Sequence, residues 1–349
     1  MYKVIQWATG SMGRTALRRI IDHPDLELAG LFVYDERKAG CDAGEIARRP
    51  PTGIVATTRI EDILALDADV VIHTPRISLP YEKQNGDVAR LLASGKNVIS
   101  TAGFHFPQAH GEAYAGPLRA ACLVGGSTLA GLGLNPGFIA ERVAVLMTGM
   151  CAQVEAISSS ELADASAMPS PEFVFGTMGF GVDPAQNDIT RGPLADLYGA
   201  LYSETFASVA QALGTHVVRL VPGHRVTLAP EDIGIAAGTV RKGTVAATEW
   251  RWHGEFADGR RMTHSVVWTA DLRLHGAGPD DGAHWHVNIK GRPNINVSFG
   301  VEDPDPAAPH TRAAADATVA AAIRGIPDVC AAPPGFFAYP VPAAFRARF

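Results

Sequence analysis

The segment Val4-Ile5-Gln6-Trp7-Ala8-Thr9-Gly10-Ser11-Met12-Gly13-Arg14 constrains this chain more than any other stretch. A short apolar run ends in a glycine-containing turn, and the turn opens into a helix-forming segment, so the pattern reads as strand, tight turn and helix. Gly10 permits the turn, and Gly13 allows close approach of backbone and ligand at the helix start. The N–H groups left free at a helix N-terminus suit a pyrophosphate. The spacing lacks the first glycine of the full Gly-x-Gly-x-x-Gly fingerprint, and an ordinary glycine-rich turn is the competing explanation.

The residues that follow favour the dinucleotide reading. Val4 to Trp7, Leu28 to Val33, Val70 to His73, Asn97 to Thr101 and Leu123 to Gly126 are short apolar runs, and helix-period segments such as Arg14 to Asp22 and Asp87 to Ser94 stand between them. That alternation predicts an α/β fold with an N-terminal Rossmann-type, doubly wound parallel sheet over residues 1–140. The texture then changes. A helical stretch near Ala140 to Met150 leads into the strand-like run Val154 to Ser160, and a Pro- and Gly-rich segment runs from Met168 to Pro193. Val245 to Trp252, Met262 to Leu274 and His284 to Phe299 alternate with period 2, with Ala257-Asp258-Gly259 as a turn between the first two. Residues 141–310 are therefore expected to form a C-terminal α+β domain with an open, mainly antiparallel sheet. Asp303-Pro304-Asp305-Pro306 reads as a linker, and the Ala-rich Thr311 to Arg324 as the start of a C-terminal helical segment, 311–349, that returns to the first domain.

Composition removes several classes of function. Hydrophobic residues make up 47% of the 349 and charged ones 19%, enough apolar material for a folded chain throughout. A net charge of −6 repels a phosphate backbone, so nucleic acid is not an expected partner. Cys41, Cys122, Cys151 and Cys330 form no Cys-x-x-Cys pair and read as thiols in a reducing compartment. The N-terminus resembles no signal peptide, and no apolar run reaches the roughly 18 residues of a membrane span, which predicts a cytoplasmic protein without a membrane partner.

After the second strand, an acidic residue would grip the ribose of NAD and a basic one the 2′-phosphate of NADP. Asp35 and Glu36 stand there beside Arg37 and Lys38. The cofactor is read as NADP or NAD: the mixed charges suit both, and the neutral Val33 at the strand's end favours NADP, with Arg37 and Lys38 to hold its phosphate; a solvated charged loop is the alternative.

Three segments resemble the dihydrodipicolinate reductase-like oxidoreductases: the turn Gly10-Ser11-Met12-Gly13-Arg14, the stretch Asp42-Ala43-Gly44-Glu45, and the loop Ser100-Thr101-Ala102-Gly103-Phe104. Nothing in the second domain is similar to that reductase's His-His-x-His and Lys-x-Asp-x-Pro-Ser-Gly-Thr segments, which excludes its substrate. A divergent branch with 2,4-diaminopentanoate dehydrogenase and the native amine dehydrogenases is closer in length and layout. Gly133-Leu134-Asn135-Pro136-Gly137-Phe138 and Cys330-Ala331-Ala332-Pro333-Pro334-Gly335 are similar to that branch. The resemblance implies hydride transfer at a C–N centre, with a small carbonyl or amine compound as substrate and a homodimer as the assembly. It also implies that His73-Thr74-Pro75, Thr101-Ala102-Gly103 and Asn135-Pro136 converge around the nicotinamide at the strand ends. In the amine dehydrogenases the loop after the fifth strand holds a glutamate, whereas here it reads Gly103-Phe104-His105-Phe106-Pro107. Either His105 takes the carboxylate's place, as a loop histidine tuned for proton transfer, or it is packed between two phenylalanines and the activity differs.

The remaining candidates have structural explanations beside the functional ones. Glu161, the reserve catalytic candidate, and Asp164 follow a strand, where acidic residues also cap turns. His284-x-His286 puts two imidazoles on one strand face without a third ligand, so no metal is expected. His264, Trp268 and Trp285 fit a sheet core or a pocket floor; Phe173, Phe175 and Phe180 fit an apolar lid or packing. The apolar side of the second sheet, with Val266, Trp268 and Val287, needs cover from helices or from another subunit, and the pocket is expected between the nicotinamide loop and that sheet, within reach of the partner chain. Two other functions stay open: a carbonyl or imine reductase that needs no ammonia, and a catalytically silent dinucleotide sensor.

Overall fold

β-branched runs alternating with amphipathic helices build a parallel sheet because each crossover helix returns the chain to the end of the sheet from which the previous strand started. The computed structural model describes residues 1–275, 284–305, 307–308, 310–341 and 344–347, and it divides the chain into two units, Met1–Phe138 with Ala315–Tyr339 and Ile139–Ala314 with Pro340–Phe349. The first unit runs β1 (Tyr2–Trp7), α1 (Ser11–Asp22), β2 (Leu26–Phe32), α2 (Ala43–Ala47), β3 (Ala56–Thr57), α3 (Ile60–Leu64), β4 (Val70–His73), α4 (Asn85–Ala93), β5 (Asn97–Ser100), α5 (Glu112–Gly125) and β6 (Thr128–Gly131). The second holds α6 (Ala144–Thr148), β7 (Gln153–Asp164), α7 (Pro193–Ala212), β8 (Val217–Pro222), β9 (Arg225–Leu228), β10 (Ile233–Ile235), β11 (Gly238–Val240), β12 (Val245–Phe256), β13 (Arg261–Thr269), β14 (Trp285–Arg292) and β15 (Ile295–Phe299). α8 (His310–Arg324), α9 (Ile326–Ala331) and β16 (Gly335–Phe336) complete the chain.

The first sheet has the order β16-β6-β5-β4-β1-β2-β3, and its paired strands are parallel. One face buries Ile5, Trp7, Val71 and Val98 against Leu91, Leu92 and Leu118. On the other, Val4, Val70, Ile72 and Ile99 pack with Ile20 and with Val319, Ala322, Ile326 and Val329 from α8 and α9. Leu123 to Gly126 is not a strand: it is the last turn of α5 and its cap, and β6 begins at Thr128. Leu123 and Val124 are exposed while Ala115, Leu118, Ala121 and Cys122 face inward, so the apolar run was helix surface with a glycine stop, Gly126 at φ +64°.

The second sheet is mixed, in the order β15-β14-β7-β13-β12-β8 with β9 also on β12; β7 and β13 run parallel, and the other pairs are antiparallel. The turn at Ala257-Asp258-Gly259 joins β12 to β13, with Gly259 at φ +85°. The run Met262 to Leu274 stops being a strand at Thr269, and His284 to Phe299 is two strands, turned where Asn294 Oδ1 accepts the Gly291 N–H at 3.0 Å. The 20-residue helix α7 supplies the cover that the apolar face needs: Tyr198 lies 4.7 Å from Trp250 and 5.3 Å from Trp268, and Tyr202 lies 4.7 Å from Trp252. Val266 and Val287 are thus buried within one chain. Phe180 is core and Phe173 and Phe175 pack against the same cluster, so these rings serve packing. Of the expected linker, Pro306 lies outside the described residues.

Candidate cofactor site

Sheet register lines up the places where chemistry can occur. Trp7 pairs with His73, His73 with Ser100, and Ser100 with Gly131, so β1, β4, β5 and β6 end in one row. The ladder runs one residue further, with Thr74 N–H donating to Trp7 O, Thr101 N–H to His73 O and Leu132 N–H to Ser100 O, at 2.9–3.1 Å. The sheet branches at β1, with β2 on one side and β4 on the other, and ligands of open α/β sheets bind outside the strand ends at such a switch point.

The turn after β1 is tightly determined. Ala8 has φ +75°, a conformation that favours glycine, and it occupies the first position of the glycine fingerprint. Its carbonyl accepts from Gln6 Nε2 at 2.9 Å, and the same amide donates to Thr74 Oγ1 at 2.8 Å. A Cβ on Gly13 would stand 2.2 Å from Ala8 O and 2.9 Å from Thr74 Oγ1, so only glycine lets α1 start this close to the turn. A Cβ on Gly10 would meet nothing within 4 Å. Gly10 caps α1 without a side-chain bond, and Arg14 N–H is the donor that returns to Gly10 O, which leaves the first N–H groups of the helix, at Ser11, Met12 and Gly13, without an intrahelical acceptor. Lys38 Nζ reaches over this turn to Thr9 O and Thr9 Oγ1, at 3.2 and 3.0 Å. Arg37 does not join it: its guanidinium, 89% exposed, forks onto Asp35 at 2.8 and 3.0 Å and holds that carboxyl at about 2. Backbone donors and a cradle that a Cβ would fill fit a diphosphate, and the lysine beside them offers a cation to a further phosphate.

The loop after β5 is held from below and from the side. Ala102 N–H donates to Ser100 Oγ at 3.1 Å, and that hydroxyl is 3.0 Å from His73 Nδ1. His73 has no exposed surface, so its side chain touches no solvent-side ligand, and burial pushes its pKa down to about 3. Gly103 and Phe104 have φ of +111° and +65°. A Cβ on Gly103 would strike the Tyr81 hydroxyl at 2.3 Å; one on Gly131 would stand 2.3 Å from His105 N. His105 is buried, with Cε1 3.1 Å from where a Gly137 Cβ would be, which makes it a packed loop histidine whatever else it does. Tyr81, His110 and Tyr114 stack beside this loop at 4.6–6.1 Å between ring centres. Asn135 lies past β6, in extended backbone before a cis bond to Pro136.

Glu161 is half-buried in β7 of the second unit, on the face under α7, where the Tyr202 phenol is raised by its own burial and, after that, by the Glu161 charge. Asp164 accepts the Ser166 N–H at 2.8 Å, a turn cap. His264 is fully buried, 2.6 Å from Ser159 Oγ and with its pKa lowered by burial to about 3; Trp285 is buried and Trp268 half-buried against Phe173. His286 Nδ1 is 3.0 Å from Ser298 Oγ, and the described residues hold no cluster of three or more metal-ligand side chains. Gln6, Tyr81, His110, Tyr114 and Gly131 escaped sequence reasoning. A lone glutamine inside Val4-Ile5-Gln6-Trp7 was the one available signal; the rest are close only because separate strands end in one row.

Comparison with known proteins agrees with this layout. Residues 4–109 match the family model of the dihydrodipicolinate reductase N-terminus. An amine dehydrogenase of Streptomyces virginiae is 27% identical over 87% of this chain and 86% of its own length. A 2,4-diaminopentanoate dehydrogenase of Acetoanaerobium sticklandii is 26% identical over 99% and 96%. The amine dehydrogenase structure from Mycobacterium smegmatis superposes with a TM-score of 0.78 at 19% identity, over 100% of this chain and 97% of that one, and shares the fold. The N-terminal third thus matches the dihydrodipicolinate reductase family model, and the chain is similar over most of its length to an amine dehydrogenase and to a 2,4-diaminopentanoate dehydrogenase.

Proposed function

We propose that this chain is an NAD(P)-dependent oxidoreductase of the amine dehydrogenase type, which couples a small ketone or aldehyde and ammonia to an amine, or runs the reverse deamination. The observation that carries the reading is the glycine turn with its open helix start and overlying Lys38, in a chain whose relatives named above span nearly its full length. Residues 1–140 are the dinucleotide-binding domain, 141–310 the substrate and dimerisation domain, and 311–349 the returning segment. Gly10, Ser11, Met12 and Gly13 hold the pyrophosphate, and Lys38, with Arg37 in a lesser part, meets the 2′-phosphate of NADP. Thr74, Pro75, Thr101, Ala102, Gly103 and Asn135 surround the nicotinamide.

The chemistry the cofactor supplies when bound is hydride exchange with the substrate carbon. In the reductive direction, ammonia and the carbonyl compound condense to an imine and water, and the protonated imine gains a hydride at carbon to become the amine. His105 orients the nitrogen and exchanges its proton; Gly131 packs against its main chain and Gly137 against its ring, which together fix the imidazole. Glu161 is the alternative proton carrier. The unit is a homodimer: the sheet face away from α7 carries Ser158, Ser160, His286, Asn288 and Ser298, none of them buried, as a polar surface for a second copy. Sedimentation velocity tests this, and a concentration-independent monomer refutes it.

NADPH oxidation measured with a panel of small ketones and aldehydes, with and without ammonia, tests the activity. Turnover that requires ammonia supports it; turnover without ammonia makes the chain a carbonyl reductase, and binding without turnover makes it a sensor. His105→Ala should slow the chemical step about 100-fold with little change in NADPH affinity, and a variant as active as the parent moves the role to Glu161.

A further inference from the structure

His73 is an expensive residue for its position. It is fully buried at the end of β4, its Nε2 meets no hydrogen-bond partner among the described residues, and leaving a buried donor or acceptor unpaired is costly. A leucine there would fill the core without that penalty, so packing alone does not account for an imidazole. The other nitrogen does have a partner. Nδ1 is 3.0 Å from Ser100 Oγ, and the same oxygen accepts the Ala102 N–H at 3.1 Å. Ala102 opens the loop in which Gly103 and Phe104 both take positive φ, with Phe104 paying the steric cost that a non-glycine residue incurs there. A backbone of this kind persists only when its surroundings over-determine it. Gly131 packs against the loop from β6, and Ser100 Oγ holds the Ala102 N–H.

We infer that His73 is a positioning residue: through Ser100 Oγ it fixes Ala102 and so holds the loop of residues 101–105 in the conformation that receives the nicotinamide end of the cofactor. This rests on the proposed dinucleotide site. The hydroxyl of Ser100 has a free choice of rotamers on its own; the imidazole beside it selects the one that faces Ala102. The low pKa that burial gives His73 keeps the ring neutral, so the link stays intact across the neutral range.

The test is fluorescence titration of the full chain with NADPH, without substrate. His73→Leu should weaken NADPH about five- to tenfold, the scale of one lost buried hydrogen bond. His73→Asn should restore affinity to within about twofold, because an amide can either donate to or accept from Ser100 Oγ. Ser100→Ala should weaken NADPH as much as His73→Leu, and the double variant should lose no more than either single one. ADP-ribose, which has no nicotinamide, should bind all of these variants like the parent. Unchanged NADPH affinity in His73→Leu, an asparagine variant as weak as the leucine one, or additive losses in the double variant overturns the inference. If His73→Leu does not fold, Ser100→Ala decides alone, and full NADPH affinity there is equally fatal. Failure of the parent to bind either NADPH or NADH refutes the dinucleotide reading instead, and the two failures are thereby distinct.

Discussion

Two loops at the ends of neighbouring strands solve the same problem in different ways. The turn of residues 8–13 after β1 is held by main chain and by the absence of side chains: Gly13 lets α1 close on Ala8 O, and Gln6 ties that carbonyl to Thr74. The loop of residues 101–106 after β5 is held by its surroundings, with Ser100 and His73 beneath it, Gly131 behind it and Tyr81 against Gly103. A diphosphate is the same in every nucleotide and can be met by backbone dipoles alone. The reacting end of a cofactor has to be set against a particular substrate, and that precision comes from packed side chains that lock one another's rotamers.

Exchanging the damage between the loops tests this contrast. Gly13→Ala should cost at least about 100-fold in affinity for both NADPH and ADP-ribose, at the upper end of the roughly 1–3 kcal/mol of overpacking, because its Cβ meets main chain on one side and Thr74 on the other. Gly13→Asp should abolish binding outright. Gly131→Ala should displace the loop at His105 and remove turnover while ADP-ribose still binds as it does to the parent. If both ligands are lost together in Gly131→Ala, the loops are one unit and the comparison fails.

Acid separates the two as well, since the histidine lies under the loop and not under the turn. His73 has a folded-state pKa of about 3 against an ordinary 6.5. The unfolded chain therefore binds the extra proton first, and the stability owed to keeping this ring neutral is complete above pH 6.5 and is lost progressively as pH falls toward 3. His264, lowered to about 3 in the second unit, acts in the same direction. Urea denaturation at several pH values should show less acid sensitivity in His73→Asn than in the parent. An identical pH slope would mean that the buried ring does not titrate with unfolding.

Cofactor choice is a smaller effect and sits on the turn. Lys38→Ala should weaken NADP about tenfold more than NAD, as expected for a lost charge-assisted bond to phosphate. Arg37→Ala should shift either cofactor by no more than about twofold, because the guanidinium is exposed and already paired with Asp35. Equal losses of NADP and NAD in Lys38→Ala would leave the lysine as a brace for Thr9. The smallest expected effect is a gain: Ala8→Gly relieves a positive φ worth about 1–2 kcal/mol, in part offset by the extra freedom of the unfolded glycine, so the thermal midpoint should rise by a few degrees at most. A fall would show that the turn does not strain Ala8.

By itself the sequence determined what repeats at short range. The spacing of Gly10 and Gly13 after a β-branched run marked the turn, and Val70 to His73 was legible as a strand with both of its ends, because strand periodicity and turn chemistry are local. The same local signals misread Leu123 to Gly126, since a leucine-valine pair ahead of two glycines is equally good as a strand or as the last turn of a helix, and only the burial of Ala115, Leu118 and Cys122 on the other side of α5 decides between them. α7 escaped notice behind a Pro- and Gly-rich segment, and with it the reason that the apolar face of the second sheet is covered inside one chain. In the candidate site the division is the same. The diphosphate turn is contiguous and could be read. That Lys38 rests on Thr9 while the adjacent Arg37 turns to Asp35, and that His73, Ser100 and Gly131 meet around one loop, was decided by the row in which β1, β4, β5 and β6 end. Strand register brings together residues that have no periodic relation in the chain, and no local pattern can encode it.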